Sequence, residues 1–172
     1  MTKNLLLTLL LGLALFGINQ TVPAQTGGTM QIKLYFPTEE DEAIDKLIEV
    51  RRSIKKTTRV ADAALRELFK GVTEDERQKG LTSAYAVSDI VTGRGECQGD
   101  KMKPLGAYLI GVTIKRGIAT VNFRPAAECY LQSAISQMDR VMNPIDKTLM
   151  QFKSIKEVQY ALNGKVITEW DA

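Results

Sequence analysis

Between Ala107 and Phe123 the apolar side chains alternate in two runs. Tyr108, Ile110, Val112 and Ile114 recur every second residue, the chain turns at Lys115-Arg116-Gly117, and Ala119, Val121 and Phe123 alternate on the return. A period of two places alternate residues on one face of a strand, and two such runs joined by a short glycine turn predict an antiparallel hairpin. A hairpin alone cannot bury its apolar face, so the rest of the chain must supply further strands and a covering layer.

Further strands are legible on both sides. Ile32, Leu34 and Phe36 alternate with Gln31, Lys33 and Tyr35 until Pro37 ends the run. Leu47 to Ile54 is rich in β-branched and long side chains and predicts a second strand, although LIEVRRSI alternates imperfectly. Tyr85 to Val91 can supply another short strand before the glycine-, charge- and proline-rich loop Thr92 to Pro104. Near the end, Val158, Tyr160 and Leu162 lead into Asn163-Gly164, a strong short hairpin signal, with Val166, Thr168 and Trp170 returning.

The covering layer is helical. Ala61, Ala64, Leu65 and Leu68 form one apolar stripe, with Arg59, Asp62, Arg66, Glu67 and Lys70 opposite and Gly71 where a left-handed cap is wanted. An acidic turn from Thr73 to Glu76 follows. From Leu131 to Phe152 the residues Leu131, Ile135, Met138, Met142, Ile145, Leu149 and Phe152 step by four and three, predicting a second helix packed on the sheet. Pro144 removes a backbone bond in its interior, which predicts a kink or break at Asn143-Pro144.

The N-terminal 24 residues read differently. Lys3, an apolar run from Leu5 to Ile18, and the small residues of Val22-Pro23-Ala24 predict an export signal cleaved after Ala24, followed by a flexible lead-in over 25–30 and one domain over 31–172. An uncleaved signal would be the only membrane segment. Removing residues 1–24 takes away one lysine and no acid, so the net charge falls from +3 to +2, too little to argue for nucleic acid. In an oxidising compartment Cys97 and Cys129 would form a disulfide, with two free thiols as the rival reading.

Catalytic chemistry is thinly represented. The 172 residues contain no histidine, which removes histidine-assisted serine and cysteine hydrolysis and leaves a zinc site short of ligands. No cofactor or metal is expected. Glu74, Glu76 and Glu128 are the acids to test for a carboxylate pair, but acids in polar loops are ordinarily just solvated, and the chain reads as a non-enzyme. The densest positive cluster is Arg51, Arg52, Lys55, Lys56 and Arg59. It is either a surface for an anionic partner or a solvated strand edge whose cations discourage aggregation.

Several stretches resemble the GerMN domain, a family named for proteins of bacterial sporulation and spore germination. The opening strand IKLYFP, the glycine-capped helix over 57–81, the hairpin GVTIKRGIATVNF and the closing segment DKTLMQFKSIKEVQYALNGK are similar to that domain and occur in its order, over about 31–165. Val72, where the family often has proline, and the loop around Cys97 depart from it. The resemblance implies a small single α+β domain, mainly antiparallel sheet with two helices packed on one face. It also implies an exported, envelope-associated protein without catalysis that assembles with an envelope protein or with itself. A small polymer-binding or carbohydrate-active protein on peptidoglycan or anionic wall polymer is the alternative, using the cluster over 51–59 or the loop carboxylates.

Overall fold

The computed structural model describes residues 27–39, 46–86, 102–131 and 135–168. Within them an α+β domain is built from two sheets joined through helices. The expected signal segment, the loop around Cys97 over 92–101 and the Trp170 end of the expected return strand lie outside the described residues, and Thr168 is not in a strand. No helix among those described is long and apolar enough to cross a membrane.

The first sheet is a two-stranded hairpin, β1 (Thr29–Pro37) antiparallel to β2 (Leu47–Lys55), in register from Thr29 opposite Lys55 to Pro37 opposite Leu47. Alternation does what it predicts in β1, where Ile32, Leu34 and Phe36 are buried. Its imperfection in β2 has a physical cause. Ile48, Val50, Arg52 and Ile54 share the inward face, so an arginine occupies one position of an otherwise apolar row.

Helix α1 (Val60–Leu68) follows, burying Ala61, Ala64, Leu65 and Leu68. Asp62, expected on the polar side, is buried too and is held by Arg66 at 2.9 Å and Arg59 at 3.5 Å. Gly71 takes φ +76°, the left-handed conformation expected after the helix. The acidic turn is a one-turn helix, α2 (Glu74–Arg77), started by a reciprocal capping box between Thr73 and Glu76. Tyr85 and Ala86 are not in a strand, and the remainder of that expected strand, 87–91, lies outside the described residues.

The second sheet has the order β3-β4-β5-β6, with β3 (Leu109–Lys115), β4 (Ile118–Phe123), β5 (Glu157–Leu162) and β6 (Lys165–Val166). The two-residue turns Arg116-Gly117 and Asn163-Gly164 all adopt positive φ, the conformation that suits the twist of a tight hairpin. Strands β4 and β5 pair in parallel, Val121 opposite Tyr160, which the strand patterns did not reveal. The reason is the helical segment between them, since parallel neighbours require a long crossover. That segment comprises α3 (Glu128–Leu131) and α4 (Ile135–Met150).

Helix α4 runs through Pro144 without the expected break. A proline inside a helix costs about 3 kcal/mol, but Val141, Pro144, Ile145 and Leu149 are all buried, and burying such side chains recovers roughly 1.5–3 kcal/mol each. Both long helices touch β1. Helix α1 also packs against β3, and α4 against β5, so one continuous core spans both sheets.

Candidate binding surfaces

The two faces of the β1–β2 hairpin treat neighbouring arginines oppositely. Arg52, on the inner face, reaches the end of α1 and the start of α2. Its guanidinium forms a two-point contact with the Glu76 carboxylate, donates to the Gly71 carbonyl at 2.9 Å, and lies 3.5 Å from Glu67 Oε1. It also stands over the Phe36 ring, 5.4 Å from the centroid. Only 12% of its side chain is exposed. Burial pushes the Glu76 carboxyl up, but the bonds from Arg52 and Thr73 and the Arg52 charge outweigh it, and the net shift is downward. Arg52 is therefore a half-buried clamp tying β2 to α1 and α2.

Arg51 points the other way. On the outer face it lies directly opposite Lys33, and like charges in that relation repel. Both cations converge on Glu49, at 2.8 Å from Lys33 and 3.0 Å from Arg51. Tyr35 Oη donates to the same carboxylate at 3.3 Å, and Lys147 of α4 sits 5.8 Å over the Tyr35 ring. The hydrogen bonds from Lys33 and Arg51 hold the Glu49 carboxyl below its usual range. A shallow groove of about 330 Å³ runs beside this row, lined by Gln31, Ile32, Lys33, Tyr35, Arg51 and Gln151.

The cluster expected over 51–59 is thus divided. Arg51 and Lys55 share the outer face, Arg52 is half-buried and neutralised, Lys56 is exposed just beyond the strand, and Arg59 pairs with Asp62 at the start of α1. Lys33, which meets Arg51 at Glu49, and Lys147, which lies over the neighbouring Tyr35 ring, are distant from it in sequence. Only strand register and helix docking bring them there.

The two sheets also differ at their edges. Along the free side of β1, the Gln151 amide accepts from Lys33 N–H at 2.9 Å and donates to the Lys33 carbonyl at 2.7 Å, and Thr148 Oγ1 accepts from Tyr35 N–H at 3.3 Å. Two side chains of the α4 end thus stand in for a neighbouring strand. Edge strand β3 has no partner strand on its outer side among the described residues. Ile110 and Ile114 are 43% and 45% exposed there. A bulge between Leu109 and Gly111 interrupts its pairing with β4.

The acids singled out for catalysis do not converge. Glu76 belongs to the clamp, Glu74 pairs with Arg77 at 2.8 Å, and Glu128 is exposed at the start of α3. Sequence reasoning missed Asp146. Burial raises its carboxyl to about 6, while the Tyr160 hydroxyl, donating at 2.6 Å, partly opposes the rise. Its position four residues before the Met150 end of α4, on the side facing Tyr160, was a weak signal at best. A larger cleft of about 550 Å³ beside α1 and α2 is lined by Lys70, Arg77, Glu39, Thr82 and Ser83 among others, and does not include Asp146. No group of metal-ligating side chains occurs among the described residues. Cys129 lies in α3, and its expected partner Cys97 is outside the described residues.

A family model described as sporulation and spore germination matches residues 33–168, from the opening strand through the last hairpin. The chain belongs to this family. Two solved structures share the GerMN fold with it. The tandem GerMN domains of the sporulation protein GerM from Bacillus subtilis align at 22% identity and a TM-score of 0.56, over 83% of this chain and 42% of that one. The first GerMN domain of the same protein aligns at 17% identity and a TM-score of 0.53, over 83% and 90% of the two chains. The chain thus spans less than half of the tandem-domain structure. No curated protein matches it. The clamp, Lys33, Glu49 and Arg51 of the outer hairpin face, and the β3 edge lie within the matched residues.

Proposed function

We propose that this GerMN chain is an exported, non-enzymatic envelope module that works by holding a protein partner, either another envelope protein or a second copy. The exposed β3 edge is the observation that carries the reading. The turn at Arg116-Gly117 makes Lys115 and Ile118 the closing hydrogen-bonded pair. Counting back along β3, the backbone groups of Val112 and Ile114 point away from β4 and meet no backbone partner among the described residues, which suits them to receive an added strand. The exposed Ile110 and Ile114 supply apolar contact beside them. On β1 the corresponding groups are already taken by Gln151 and Thr148, so the two edges are not equivalent. Export is supported by the apolar run over 5–18 and the small residues that follow it.

The test is crosslinking of the protein in its own cells, comparing the natural chain with an Ile110→Lys, Ile114→Lys double variant. Both side chains are already exposed, so the variant should fold, and the crosslinked partner or dimer band should disappear. Retention of every crosslinked species by the variant would remove the β3 edge from the reading. Sedimentation of the purified chain separates a second copy from a different partner.

A further inference from the structure

We infer that the outer face of the β1–β2 hairpin is a binding site for an anionic polysaccharide, in which Glu49 occupies the position of a ligand anion. The inference is independent of the β3 edge. Its basis is an excess of cations over carboxylates on the outer face of the two strands, among the described residues. Lys33 and Arg51 stand opposite each other and share a single carboxylate, although a strand needs no such pair to form. Lys147 adds a third cation at the Tyr35 end, and Lys55 a fourth at the other.

The shape of the array selects a linear ligand. With about 3.3 Å per residue along a strand, the positions of Lys55, Arg51 and the Tyr35 row define a line of roughly 20 Å rather than a point. The groove beside it carries hydrogen-bonding groups, including Gln31 and Tyr35. Among the described residues, none of the exposed large apolar side chains, Ile110, Ile114, Met150 and Val166, belongs to the two strands of the hairpin. A protein partner would therefore find no apolar anchor of the kind that dominates protein interfaces. Nucleic-acid bases would find a single aromatic ring, with Lys147 already over it. A hydrated, charged glycan requires neither.

Binding of polygalacturonate (carboxylate) and heparin (sulfate) to the full chain, measured by titration at several salt concentrations, tests the inference. Poly-L-glutamate is the protein-like comparison. At least one glycan should bind, with affinity falling as salt rises. The Lys33→Gln, Arg51→Gln, Lys147→Gln variant should bind about 100-fold more weakly, each lost cation contributing a factor of about 5. Glu49→Gln should bind several-fold more tightly, because the internal competitor is gone. A control with equal charge loss elsewhere, Lys79→Gln, Lys103→Gln, Lys165→Gln, should stay within about 3-fold of the natural chain. Should the triple variant fail to fold, Glu49→Gln and Arg51→Gln alone decide the matter, since Arg51 is 71% exposed. Absence of glycan binding, equal weakening by the control, weaker binding by Glu49→Gln, or poly-L-glutamate binding as tight as either glycan would each overturn it.

Discussion

Arg51 and Arg52 are adjacent, identical residues on one strand, yet they do different work. Strand pleating turns them to opposite faces. Inside, Arg52 meets two carboxylates, a carbonyl and an aromatic ring. Outside, the exposed Arg51 shares one carboxylate with a second cation. A desolvated charge is stable only when fully compensated, whereas an exposed one is free to be under-compensated and so to attract a ligand. A row of basic letters in a strand is thus two surfaces, and only one of them is available for binding.

The largest test of this contrast is removal of the clamp. Arg52→Met leaves the half-buried Glu76 without its cation, while Glu67 keeps only Lys70, and should destabilise the fold by about 3–5 kcal/mol in urea unfolding. An effect under about 1 kcal/mol would dissolve the distinction between the faces.

Titration sharpens it next. Glu76, lowered by Arg52, contributes stability that is lost as pH falls through its depressed folded value. Asp146 has a phenol where Glu76 has a cation, and its carboxyl is raised from 3.8 to about 6. Between those values the native state holds a proton that the unfolded state has released. Its contribution therefore falls as pH rises from about 4 to about 6, by up to about 3 kcal/mol, and is level above. Asp146→Asn should gain stability relative to the natural chain across that window, as read from urea midpoints at a series of pH values. A constant difference between the two proteins would contradict the assignment.

A smaller effect is expected at the cap that presents Glu76 to Arg52. Thr73→Ala removes half of the capping box and should cost about 1 kcal/mol, measured by thermal or urea unfolding. The smallest belongs to the outer face, where Arg51→Met should change stability by less than about 0.5 kcal/mol. A cost comparable to that of Arg52→Met would mean that the outer row is structural, and would weaken the case for a ligand there.

What the sequence determined by itself was local and periodic. The alternation of Ile32, Leu34 and Phe36, the glycine turns at 117 and 164, the stripe of α1 and the left-handed Gly71 all follow from short-range sterics and apolar spacing, which travel with the residues themselves. The order of these elements was enough to identify the family. Tertiary structure decided what depends on partners far away in the chain. The parallel pairing of β4 with β5 came from the crossover, and the continuity of α4 through Pro144 from the burial of the residues around it. Asp146 is raised because the folded chain buries it, Lys33 meets Arg51 through strand register, and Lys147 reaches the Tyr35 ring through helix packing. Electrostatic character is a property of surroundings, and the surroundings of a charge are assembled only when the chain folds.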